Sequence, residues 1–187
     1  MQRRYNIGEV NDLQDNIRSK MLEGIADFRM PCYNEIPDVG LFLDQTAKYI
    51  SGVLAPLDGI TVTGSMISNY VKKDLIDNPV KKQYDRDQIA YLIFIAVAKS
   101  MLPLESIKTM IDMQKRTYEA RTAYEYFCRE FENILLFAFG AKDTLEEIGK
   151  SNSDQKIMLR NTIIAVVHKI YLDRYIAICR ESEATGA

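Results

Sequence analysis

The chain has 187 residues, 47% of them hydrophobic and 27% charged, which is the size of one domain or of one small domain with an appendage. Those proportions exclude a disordered, collagen-like or repetitive chain, and no apolar run approaches the length of a membrane span. With 24 Lys and Arg against 26 Asp and Glu, the net charge is −2, so any affinity for nucleic acid has to come from a local patch.

The first 30 residues interleave charge with apolar positions (Arg3, Arg4, Glu9, Asp12, Asp15, Arg18), which is no signal peptide and implies a cytoplasmic protein. Ile7, Val10, Leu13, Ile17, Met21, Ile25 and Phe28 recur at helical spacing and predict an amphipathic helix over 9–29, broken by Pro31 and Pro37. Leu41, Phe42, Ala47, Ile50 and Leu54 predict a second helix over 40–54, ended by Pro56 and Asp58-Gly59. Ile60 to Val62 is too short to demand a strand. Thr63 suits the N-cap of a third helix, 64–74, with Ile67, Tyr70 and Val71 inward.

The strongest local signal is Tyr84-Asp85-Arg86-Asp87-Gln88-Ile89. It places Asp85 at an N-cap, Gln88 at N3, and Tyr84 and Ile89 at hydrophobic-staple positions, so a helix runs from Arg86 to about Ser100. Its nearly all-apolar face marks it as a core helix. Pro103 opens the next helix, 103–114. A long aromatic-rich helix spans 117–139 before Gly140, a short one covers 143–149, and a last one covers 154–181 with Ile157, Ile164, Val167, Tyr171 and Ile178. The fold class is all-α.

Cys32, Cys128 and Cys179 lie far apart and odd in number, which reads as free, mostly buried thiols. The one histidine, His168, stands in Ala-Val-Val-His-Lys-Ile with no serine or cysteine at nucleophile spacing. No CxxC or HExxH pattern supplies a metal site, and no Gly-rich phosphate loop follows a strand. Glu146 and Glu147 are adjacent, so on a helix they point apart. No catalytic residue, cofactor or metal is expected.

Residues 60–111 carry the one constellation with a chemical use. If Ile67, Tyr70 and Val71 face inward, helix 64–74 shows Ser65, Ser68, Asn69 and Lys72 outward: short hydrogen-bonding groups with a cation, suited to base edges and phosphates. Thr63 at the helix N-terminus adds free N–H groups for a phosphate. Lys73, Lys81, Lys82 and Arg86 follow as backbone contacts. The same lysines can equally decorate a solvated face, since Asp74, Asp77, Asp85 and Asp87 stand among them.

Segment 62–111 resembles the DNA-binding domain of the MerR (mercury-resistance regulator) family of bacterial transcription factors. The resemblance rests on Thr63, Ile67 and Tyr70 in the recognition helix, Leu75-Ile76 and Pro79 after it, Tyr84 before the capped helix, and Leu104-Glu105-Ser106-Ile107. Ile36-Pro37-Asp38 to Asp44-Gln45, with Met66 to Lys72 and Pro79 to Tyr84, is similar to an uncharacterised, largely Firmicutes family known only as a domain of unknown function. The pattern departs from MerR at Ser68-Asn69, where Arg-Tyr is usual, in a short connector 77–83 without Gly-Tyr-Arg, and in a longer turn 55–62.

The resemblance implies an N-terminal helix (1–32), a winged-helix, helix-turn-helix module (33–112) and a helical C-terminal bundle with a long helix for dimerisation or effector binding (113–187). It implies a sequence-specific regulator that binds double-stranded DNA as a homodimer. The alternative is a helical protein-interaction module of winged-helix shape without DNA binding. Tyr118, Tyr124, Phe127 and Phe131 read either as a pocket for a small-molecule effector or as ordinary core.

Overall fold

A computed structural model describes residues 16–149 and 153–185, the side chains of 183–185 excepted. Helix α1 is described over 16–22, and the N-terminal part of the predicted helix 9–29 falls outside the described residues. Its end comes earlier than predicted. Turns occupy 23–27 and Gly24 sits at φ +69°, a left-handed conformation that stops a helix. Ile25, Phe28 and Met30 still point into the core, but from turn and extended chain.

The predicted helix 40–54 splits. Leu41–Phe42 form strand β1, and α2 runs over Leu43–Leu54, with Gln45 Oε1 accepting the Phe42 N–H at 2.9 Å. Helix α3 spans Gly64–Lys72. Strand β2, Gln83–Tyr84, pairs antiparallel with β1 in the register Leu41 with Tyr84 and Phe42 with Gln83. Helix α4, Arg86–Ala98, starts in the predicted capping box: Asp85 Oδ1 accepts the Gln88 N–H at 2.8 Å and Gln88 Oε1 accepts the Asp85 N–H at 3.0 Å. Nine of its residues are buried, so α4 is the axle of the core.

Helix α5 covers Leu104–Lys115, α6 Ala120–Ala138, and α7 Asp154–Thr185. At the end of α6, Gly140 (φ +72°) is followed by Ala141, whose N–H reaches Leu136 O at 2.9 Å, while the Gly140 N–H reaches Phe137 O at 3.0 Å. The predicted helix 143–149 does not form. Asn133 of α6 takes both backbone groups of Glu146, accepting its N–H (3.1 Å) and donating to its carbonyl (2.8 Å), and Tyr126 donates to Ile148 O. Those bonds hold the segment extended against α6 where a helix would need them internally.

α6 packs between α4 and α7, and buried residues from Met21 to Ile178 form one contiguous cluster. No helix among the described residues is long and apolar enough to cross a membrane. The cysteines are free; Cys128 is buried, Cys179 half-buried and Cys32 exposed, so the expectation of mostly buried thiols holds at only one position in full.

Two glycines make a paired test of this geometry. A Cβ on Gly40 would lie 2.7 Å from Gln83 Cβ across the two strands, whereas nothing lies within 4 Å of one on Gly52 in α2. Gly40→Ala is expected to lower the thermal midpoint by forcing β1 from β2. Gly52→Ala is expected to raise stability by about 0.5–1 kcal/mol through backbone entropy alone. Denaturant titration of both variants reads the two signs.

Candidate nucleic-acid interface

Helix α3 is moored on one side and open on the other. Ile67 and Tyr70 are fully buried, and Met66 and Val71 are half-buried. Thr63 Oγ1 accepts the Met66 N–H at 3.3 Å and lies 2.9 Å from Ser65 Oγ, which sets the first turn. Burial pushes the Tyr70 phenol up to about 12, its hydroxyl has no hydrogen-bond partner among the described residues, and Lys99 Nζ stands 5.7 Å from its ring centre.

The helix ends in a left-handed residue, Asp74 (φ +54°). The Leu75 N–H bonds Tyr70 O and the Asp74 N–H bonds Val71 O, both at 3.0 Å, and Lys108 Nζ donates to Asp74 O. Leu75 and Ile76 then drop into the core.

The connector closes in a tight turn, Val80 to Gln83, with the Gln83 N–H on Val80 O at 2.9 Å. Both central residues are left-handed, Lys81 at φ +51° and Lys82 at +64°. This is the pattern of a type I′ turn, which ordinarily takes Asn or Gly. Two lysines there cost about 1–2 kcal/mol each relative to glycine. Both side chains are exposed and have neither an ion pair nor a hydrogen bond among the described residues.

Of the residues singled out in the sequence, Thr63, Ser65, Asn69, Lys72, Lys73, Lys81 and Lys82 are exposed and Ser68 is half-buried. Lys72 and Lys73, like the turn lysines, have no ion partner among the described residues. Arg86 differs from the expectation. Its Nε donates to Ile36 O at 2.9 Å, its guanidinium lies 5.5 Å over the Tyr33 ring, and Asp38 is 3.5 Å away. It is a strut between α4 and residues 33–38, not a free cation.

The phosphate site expected at the start of α3 is also altered. Asp44 Oδ1 comes 3.5 Å from the place of a Gly64 Cβ, so a carboxylate already faces that terminus. Thr63's hydroxyl is used within the helix cap. Sequence reading missed Lys99 and Lys108. Tertiary packing alone brings them to Tyr70 and to the end of α3, and no local pattern announces it.

The four aromatics read as pocket or core divide between the two. Tyr124 and Phe127 line an apolar cavity of about 80 Å³ together with Tyr91, Phe94, Met110 and Met158, between α4, α5, α6 and α7. Phe131 is plain core, and Tyr118 faces other clefts. Among the described residues no group of His, Cys, Asp and Glu could hold a metal ion.

A family model, the domain of unknown function DUF1836, matches residues 31–127, a little over half of the chain. The chain belongs to that family. The match takes in β1, α2, α3, the lysine turn, α4 and α5, and ends inside α6, so the DUF1836 domain holds every residue of the candidate interface. No curated protein and no solved structure matches this DUF1836 chain.

Proposed function

We propose that this DUF1836 protein is a cytoplasmic, non-catalytic DNA-binding regulator of transcription. In this reading it binds double-stranded DNA as a homodimer through a MerR-like winged helix, with α3 in the major groove and the 80–83 turn as a miniature wing. The observation that carries the reading is the turn: two lysines, unpaired among the described residues, stand in a backbone conformation that costs energy, and their exposed side chains make no internal contact there. Lys72 and Lys73 extend the same free charge along α3, and Ser65, Ser68 and Asn69 supply groups that can read base edges.

Selection from a random duplex library with purified protein tests the reading, followed by fluorescence anisotropy at several salt concentrations. In the bound state each phosphate contact contributes about one unit to the slope of log K against log salt. Lys81→Ala with Lys82→Ala is expected to weaken binding and to flatten that slope by about two units. No enrichment, or a slope unchanged in the double variant, overturns it.

Exposed Val39, Phe42 and Val80, beside the same turn, favour a second reading as a protein-interaction module. It predicts that Val80→Asp abolishes partner capture while the lysine pair is dispensable.

A further inference from the structure

Helix α7 has two faces of different use. Ile163, Val166, Val167 and Ile170 are buried in the bundle. On the opposite side Ile157, Leu172, Tyr175 and Ile176 keep 47%, 55%, 40% and 45% of their surface, and His168 stands exposed among them. Of the apolar residues that mark this helix in the sequence, Ile157 is exposed and Ile164 half-buried.

At about 100° per residue, positions 157, 161, 164, 168, 172, 175 and 179 fall on one line along the helix. The steps of four, three and four repeat after 11 residues, the period that keeps a stripe nearly straight on an α-helix. The order is a mirror about His168: Ile157 answers Cys179, Asn161 answers Tyr175, and Ile164 answers Leu172.

We propose that two copies of this chain pair antiparallel along this stripe of α7, with the two-fold axis at His168. Of the proposed function this uses the homodimer alone. A closed pair needs a patch that complements itself under two-fold rotation, and the mirrored order meets that condition. Charge agrees with it. Asp154 and Arg180 are both exposed, lie on the same flank of the stripe, and stand 14 and 12 residues on either side of the axis. Antiparallel pairing therefore sets each Arg180 by Asp154 of the second copy, at both ends. Parallel pairing would instead leave Asp154 and Arg180 at opposite ends of the seam, about 39 Å apart. Lys156, the numerical mirror of Arg180, lies on the other flank, 4.9 Å from the Tyr126 ring centre, and stays clear.

Sedimentation equilibrium of the full chain tests the seam, with circular dichroism as a folding control. The wild type is expected to dimerise, and Leu172→Glu, which alters an exposed side chain, to stay helical and become monomeric. His168→Cys, combined with Cys32→Ser and Cys179→Ser, is expected to cross-link to itself under mild oxidation. Native Cys179, about 16 Å from the axis on each copy, is expected not to. A monomer at every concentration, a dimer indifferent to Leu172→Glu, or self-cross-linking through Cys179 overturns the proposal. A seam dimer without DNA affinity supports this pairing and removes the regulator reading; a monomeric wild type that binds duplex DNA does the reverse.

Discussion

Arg160→Met is expected to cost about 3–5 kcal/mol, lowering the thermal midpoint by roughly 10 °C or more. Glu130 is fully buried in α6, and its one charged partner among the described residues is Arg160 of α7, Nη1 to Oε1 at 2.6 Å. Its second carboxylate oxygen has no hydrogen-bond partner among the described residues. A methionine keeps the length of the arginine stem and removes the charge, so the loss is electrostatic and not one of volume. Without the guanidinium a carboxylate is stranded between two packed helices, with its full desolvation penalty uncompensated. The double variant Glu130→Leu with Arg160→Met removes both charges and is expected to regain most of the stability, since the pair itself contributes little beyond its own desolvation. Thermal unfolding of the three proteins decides it: a single variant within about 1 kcal/mol of wild type means that water reaches Glu130.

What was legible in the sequence was the chemistry that acts locally. The box Asp85–Gln88 names the start of α4 because both bonds lie within one turn, and Gly140 names the end of α6 because the left-handed residue is itself the stop. Thr63 likewise opens α3 at the expected place. What failed was chemistry supplied from a distance. Leu41 and Phe42 read as helix because their apolar spacing suits one, yet they pair as a strand with residues 83–84. Residues 143–149 have ordinary helical composition, but Asn133 claims the backbone of Glu146.

The candidate interface divides the same way. The exposed side of α3 follows from where Ile67 and Tyr70 must go, so Ser65, Asn69 and Lys72 could be named from periodicity. Arg86 could not be excluded, because its partners Tyr33, Ile36 and Asp38 lie some fifty residues earlier. The strain at Lys81 and Lys82 was equally hidden, since lysine is the wrong residue for a left-handed turn and propensity argues against placing one there.

Phe131→Ala is expected to cost about 3–5 kcal/mol and to do so for the entire chain at once. The ring is fully buried, 6.1 Å from Phe28 and 5.8 Å from Phe127, so truncation removes ring contacts on both sides and leaves a void that rigid neighbours cannot fill. Phe28 belongs to the N-terminal segment and Phe127 meets Phe94 of α4 at 5.4 Å, which makes Phe131 a shared wall for all three stretches of the chain. Polar ties follow the same path. Glu132 accepts the Met30 N–H at 2.7 Å, Tyr124 donates to Pro31 O, and Arg174 bonds the carbonyls of Met21, Glu23 and Pro56 and the carboxylate of Asp58. A loosened α6 therefore releases the N-terminal segment and α4 together. Native-state hydrogen exchange on the variant is expected to show α4 and α7 losing protection by the same free energy. Protection kept in α3 and α4 while α6 and α7 open would show instead that the interface module folds by itself and that the helical bundle is an appendage.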